Sequence, residues 1–152
     1  MSLTRVAAPH CNIVASALQA APRERGRYAA AMPFVPDDLD LIDRTEEVDI
    51  ETSTEGGLSH RTTIWAIVDG DDVFIRSYRG ANARWYREAT AHSSVALWVA
   101  GHRLAAHAVL AADPDSIART SAGLSRKYAS DPATPEMLRD EVLPLTLRLD
   151  PA

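Results

Sequence analysis

The chain is 152 residues long with a formal net charge of −5, a length that suits one domain able to bury its own core without a metal or a disulfide. The acidic balance argues against nonspecific nucleic-acid binding, which rests on neutralising many phosphates, and no apolar run approaches the ~20 residues that a bilayer crossing needs. A single cysteine, Cys11, can form no internal bridge, which fits a soluble protein of the reducing cytoplasm.

Residues 1–31 carry Arg5, Arg23, Arg25 and Arg27 with many alanines and no hydrophobic alternation. They read as an arm outside the domain, disordered or not part of the native protein. The short apolar stretch Ile13 to Ala21 is too weakly hydrophobic to favour a secretory signal. The domain is expected over residues 32–152, opening at Met32-Pro33-Phe34-Val35-Pro36.

Pro36 and the acids after it mark a helix start, with Leu39 and Ile42 as its apolar face and an end near Glu46. Val48, Ile50 and Thr52 alternate with acids and predict a half-exposed strand, turned at Glu55-Gly56-Gly57. His60 to Val68 is apolar on both faces and predicts one central strand. Asp69-Gly70-Asp71-Asp72 is a hairpin signal, because glycine supplies the positive φ that two-residue turns require. Val73 to Tyr78 returns. Ala83 to His92 fits a helix, Val95 to Ala100 a strand, Gly101-His102 a turn and Arg103 to Ala111 another strand. Asp113-Pro114 starts a helix reaching Tyr128, a short helix follows Thr134, and Leu145 to Leu149 closes as a strand. Strands joined by short hairpins pair antiparallel. The fold class is therefore α+β: a six-stranded antiparallel β-barrel, closed or split, with peripheral helices, since closure removes exposed edges.

Charge is unevenly spread. Twelve acids lie between Asp37 and Asp72 against Arg44 and Arg61, whereas Arg76, Arg79, Arg84, Arg87 and Arg103 face only Glu88 in the next stretch. The segment Arg76 to Tyr86 carries the most chemistry. A strand ends in Arg76 and Ser77, Gly80 lets the backbone turn, and a helix starts with its free N–H groups, an arrangement suited to a phosphate. Arg76, Ser77, Arg79 and Arg84 would add charge-assisted hydrogen bonds of about 1.5–3 kcal/mol each, and three of these approach the roughly 8 kcal/mol of micromolar affinity. The plainer alternative pairs Arg76 or Arg84 with carboxylates and uses Trp85 and Tyr86 to pack the helix. Lys127 reads as a complement to its helix dipole, with contact to a ligand as the alternative. His102 and His107 sit an odd number apart on one strand and so face opposite ways, and no serine lies in a Gly-x-Ser-x-Gly elbow.

Thr62-Thr63-Ile64-Trp65 leading into Asp69-Gly70-Asp71-Asp72, Arg76-Ser77-x-x-Gly80, Trp85-Tyr86, Lys127-Tyr128 and Thr146-Leu147-Arg148-Leu149 together resemble a bacterial family, domain-of-unknown-function family 2255, over about Pro33 to Pro151. That family more distantly resembles the FMN-binding split barrels related to pyridoxamine-phosphate oxidase and the deazaflavin-dependent reductases. The resemblance implies a homodimer binding FMN or a deazaflavin in a groove between subunits, and oxidoreductase chemistry on a small molecule. By position it assigns cofactor contacts to Arg61, Thr63, Arg76, Ser77, Arg84 and Trp98, with Arg103 beside Trp98. The oxidase's lysine has no counterpart between Arg61 and Val68, so pyridoxamine-phosphate oxidation itself is not implied. The other readings are a dimeric binding or structural module with no cofactor, and a small-ligand sensor using the same groove.

Overall fold

Helix α1 (Pro36–Arg44) begins on a proline, whose fixed φ suits the first turn and whose missing N–H would have been unpaired there anyway. Asp37 and Asp38 lie at its positive end, and Leu39 and Ile42 are buried as their spacing predicts. The computed structural model describes residues 33–152; the expected N-terminal arm lies outside them. No helix among the described residues is long and apolar enough to cross a membrane.

Strand β1 (Val48–Ser53) buries every second residue, and β2 (Ser59–Ile64) pairs with it antiparallel across the Gly56-Gly57 turn. The expected single central strand from His60 to Val68 is two strands. It breaks at Trp65, and β3 runs from Ala66 to Asp69. Among the described residues the sheet thus has seven strands rather than six, in the order β2-β1-β5-β6-β7-β4-β3, all pairs antiparallel. Here β4 is Asp72–Arg76, β5 Ser94–Val99, β6 His102–Leu110 and β7 Thr146–Pro151. Far from being central, β2 and β3 are the two edges of the sheet. They are consecutive in the chain, so the sheet must curl until both edges meet at Trp65. The stretch reads as central because helices, rather than further strands, cover the outer side of β3.

Two turns shape this curl. Asp69 pairs with Asp72, leaving Gly70 and Asp71 as the loop, and Gly70 takes φ 61°. A positive φ at only the first loop position is the type II′ pattern that fits strand twist. The β5–β6 turn is centred one residue earlier than expected, on Ala100 and Gly101, with φ of 47° and 82°.

The inner face holds the main core, with Ile50, Leu97, Ile75 and Leu149 all but fully buried. Helix α2 (Arg84–Ala91) adds Trp85 and Tyr86 to it, so both rings pack the helix as the plainer reading expected. Glu88 ties the same helix to the sheet, accepting from Thr52 Oγ1 at 2.6 Å and meeting His60 Nδ1 at 2.8 Å. On the outer face, α3 (Pro114–Lys127) covers Ile67 and Phe74 with Leu124, joined by Tyr128 and by Met137 of α4 (Thr134–Met137). Asp113 caps α3 by accepting from Ser116 N at 3.0 Å. Gly123 lets α3 lie close, since a Cβ there would meet Ile67 Cδ1 at 2.7 Å. A short 3₁₀ segment, Asp140–Leu145, leads into β7.

Candidate functional site

A cavity of about 620 Å³ opens at the corner where the sheet edges meet. Thr62 to Trp65 form one wall, from the end of β2 to the break before β3. Arg76, Tyr78 and Arg79 reach it from the end of β4, and Ala83, Arg84 and Trp85 from the first turn of α2. Asp131, Ala133 and Met137, beyond α3, close another side with Glu47, which precedes β1. Its volume falls in the range of small-molecule sites, ~300–1,000 Å³.

Three cations line it. Among the described residues none of Arg76, Arg79 and Arg84 has a carboxylate within ion-pair distance. Arg84 and Arg79 are exposed, and Arg79 rests over the Tyr78 ring with its Nε donating to the Tyr78 hydroxyl at 2.9 Å. The cap residue of α2, Ala83, offers no side-chain acceptor, and the first turn of the helix holds no acid. The positive end of α2 therefore adds to the same wall.

Arg76 differs from its neighbours in being 2 % exposed. Its Nε donates to Thr146 Oγ1 at 2.9 Å, Nη1 to Ser121 Oγ at 3.0 Å and to the Met137 carbonyl at 2.9 Å, and Nη2 to the Ile117 carbonyl at 3.1 Å. All four acceptors are neutral. Burial pulls the guanidinium down to about 10, and the charge stays inside the fold facing the cavity.

The six residues singled out from the sequence divide into two groups. Thr63, Arg76 and Arg84 line the cavity. Ser77 does not line it; the residue is buried, with its hydroxyl donating to the Gly80 carbonyl at 2.7 Å. That bond shapes the loop in which Gly80 takes φ 91°. Arg61 and Trp98 form a separate cluster on the open part of the sheet. The Arg61 guanidinium lies 3.6 Å from the Trp98 ring centroid, and Trp98 Nε1 donates to Glu51 at 2.6 Å. Arg103 completes it with a 2.9 Å bond to Glu51, and the bonds from Arg103 and Trp98 hold that carboxylate below its usual range. Thr63 is two residues from Arg61 and donates to Asp49 at 2.8 Å, so the cluster borders the cavity without lining it. Trp65, Glu47 and Asp131 are cavity residues that sequence reasoning missed; Trp65 was visible only as part of a family motif.

Lys127 lies in the last turn of α3, as the dipole reading expects, and does not line the cavity. Its ammonium donates to the carbonyls of Ile42 at 2.9 Å and Ala66 at 2.7 Å, joining the end of α1 to β3. Burial pulls it from 10.5 to about 8. Between those values the unfolded chain holds a proton that the folded chain has released, so stability should rise with pH there, by up to about 1.4 kcal/mol per unit. Urea unfolding across pH 8 to 10.5 should show the slope, and Lys127→Met should flatten it. A flat profile for the parent would mean that the two carbonyls keep Lys127 charged.

Solved structures share this fold at low identity. The haem storage protein HutZ from Vibrio cholerae is 12% identical, with a TM-score of 0.56 over 80% of this chain and 92% of that one. A provisionally named pyridoxamine 5′-phosphate oxidase from Listeria innocua is 14% identical, at 0.53 over 76% and 90%. An F420 reductase is 17% identical, at 0.51 over 74% and 91%. Identities this low establish the split-barrel architecture alone. No curated protein sequence matches the chain. A family model does match, across residues 38–149, and the chain accordingly belongs to the family described as uncharacterized protein conserved in bacteria, DUF2255.

Proposed function

We propose that this chain binds a flavin or deazaflavin in the corner cavity and uses it as an oxidoreductase on a small molecule. The observation that carries the reading is a cavity of ligand size with three arginines and a helix N-terminus on its wall, and no carboxylate paired to any of the three among the described residues. That donor set fits the anionic tail of such a cofactor. Trp65, Tyr78 and Trp85 supply the apolar wall that its ring system needs. Arg84 would hold the phosphate from outside, Arg76 would add charge from beneath, and Thr63 would border the ring. Ser77 acts through the loop it shapes. When bound, the cofactor supplies the hydride chemistry, and the chain binds and orients.

An F420 reductase and a protein named for pyridoxamine-phosphate oxidation share the architecture, which supports the reading at the level of fold. Haem names also occur among the neighbours. Among the described residues the cavity wall carries neither histidine nor cysteine, and its other haem-ligand types are engaged, the Tyr78 hydroxyl by Arg79 and Met137 by the outer core, which favours the flavin reading. In a homodimer of the kind the family resemblance implies, the open sheet face bearing Arg61 and Trp98 would meet a second copy. Those two residues would then reach a cofactor held between subunits. The lone cysteine fits a cytoplasmic setting.

Titration of purified protein with FMN, riboflavin and a deazaflavin, followed by fluorescence and calorimetry, tests the proposal. Micromolar or tighter binding of FMN or the deazaflavin is expected. Arg84→Ala should weaken FMN about 10- to 150-fold, the loss of one charge-assisted bond, and leave phosphate-free riboflavin unchanged. Binding of neither cofactor would overturn the enzyme reading and leave a barrel that serves as a binding or structural module.

A further inference from the structure

Three aromatic rings on the cavity wall differ in what already covers them. Trp85 is 6 % exposed and embedded in the main core, edge-on to Tyr86 at 5.9 Å. Tyr78 carries the Arg79 guanidinium over its ring. Trp65 is half-buried, with Tyr128 stacked behind it at 4.1 Å between centroids and 6° between planes. Tyr128 does not line the cavity and Trp65 does, so the indole is backed on one face and the cavity takes part of its remaining surface.

This pair is held still from both ends. The Tyr128 hydroxyl donates to the Glu46 carbonyl at 2.6 Å, and Thr134 Oγ1 donates to the Tyr128 carbonyl at 2.6 Å. On the other ring, the residues flanking Trp65 are locked into separate ladders, Ile64 opposite Val48 and Ala66 opposite Ile75. The indole therefore presents a fixed surface, and no ordering has to be supplied when a ligand arrives. An electron-rich ring pre-stacked on one side suits a planar, electron-poor heterocycle on the other.

We infer that Trp65, backed by Tyr128, is the platform on which the ring of the bound cofactor stacks. The inference rests on the cofactor reading and adds to it the orientation of the ligand: ring on Trp65, anionic tail toward Arg84 and the start of α2. Trp65 is a binding and positioning residue, and its contact is independent of the phosphate. Loss of the platform must therefore affect FMN and riboflavin alike, whereas loss of Arg84 affects FMN alone.

The test is optical and thermodynamic together. Oxidised FMN bound to the parent protein should show a long-wavelength charge-transfer shoulder that free FMN lacks. Trp65→Leu keeps apolar bulk and removes the π face. It should abolish the shoulder and weaken FMN and riboflavin by the same factor, about 5- to 150-fold, the range seen when an aromatic platform is removed from under a base. Melting curves establish whether that variant is folded. Trp65→Phe keeps a ring of lower donor strength, should retain most of the affinity, and should move the shoulder to shorter wavelength; it serves as the test if Trp65→Leu does not fold. The inference falls if the parent binds FMN and a folded Trp65→Leu binds FMN and riboflavin as tightly. It falls equally if Trp65→Phe leaves the spectrum of the complex unchanged. Either result leaves the cofactor reading standing. Failure of the parent to bind any flavin overturns both.

Discussion

Replacement of Arg76 by alanine is expected to lower the unfolding free energy by about 3 kcal/mol or more, read as a fall in the urea midpoint with an unchanged slope. Two effects oppose each other at this position. Burial disfavours the charge, and the displacement of the guanidinium from 12.5 to about 10 corresponds to about 3 kcal/mol that removal would recover. Against this stand four hydrogen bonds from a charged donor, each contributing about 1.5–3 kcal/mol. They join β4 to β7, α3 and α4, so the bonds outweigh the burial term even at the low end of their range. Truncation also leaves the Met137 carbonyl without this partner, together with a void beneath the cavity. Arg76→Lys keeps a charge but lacks the planar fork and should recover only part of the loss. An alanine variant as stable as the parent would reverse the interpretation: the charge would then be kept at a net cost to folding, for a ligand.

Tyr128→Ala should be destabilising by about 3–5 kcal/mol, the range for truncating a buried aromatic side chain. The ring is 3 % exposed and packs with Ile67, Phe74 and Met137 on the outer core. It also backs Trp65 and donates to the Glu46 carbonyl, so three parts of the chain converge on one side chain. Burial pushes the phenol up, and it remains a neutral donor across the working pH range. Tyr128→Phe separates the contributions. It keeps the stack and the packing and should lose only about 0.5–1.5 kcal/mol, the net contribution of one hydrogen bond to a part-buried carbonyl. A loss below ~1 kcal/mol for Tyr128→Ala would mean that the corner is held by the strand ladders alone.

Much of the fold was legible because local rules and tertiary demands agree. Val48, Ile50 and Thr52 alternate as a one-sided strand must, Gly70 stands where a tight hairpin needs a positive φ, and Asp113-Pro114 caps α3. The break at Trp65 was not legible. The apolar pattern runs in phase from Ile64 through Val68, and no glycine or proline interrupts it. What divides it is pairing with different partners on either side, Val48 before and Ile75 after, and single-strand periodicity carries no information about partners. Arg76 shows the same limit at the site. Alternation places it on a face with Phe74, as observed, but that α3 and α4 would roof this face and bury the guanidinium depends on packing between distant segments. Trp98 and Trp65 could not be ranked as ring contacts from sequence, since what covers each indole, Arg61 or Tyr128, is settled only in three dimensions.

The strand order has a consequence for how the chain acquires its shape. The hairpins β1–β2, β3–β4 and β5–β6 pair residues close in sequence and can form early and separately. Strand β7, the last of the seven in chain order, lies between β6 and β4 and is paired to both. Until it arrives, the hydrogen-bonded array consists of two pieces, β2-β1-β5-β6 and β4-β3, joined only by the chain itself, at Trp65 and through the stretch from Ser77 to Ser93 that carries α2. During synthesis from the N-terminus, the hairpins must therefore wait, partly open and with unpaired edges, for a keystone strand that emerges after all of them.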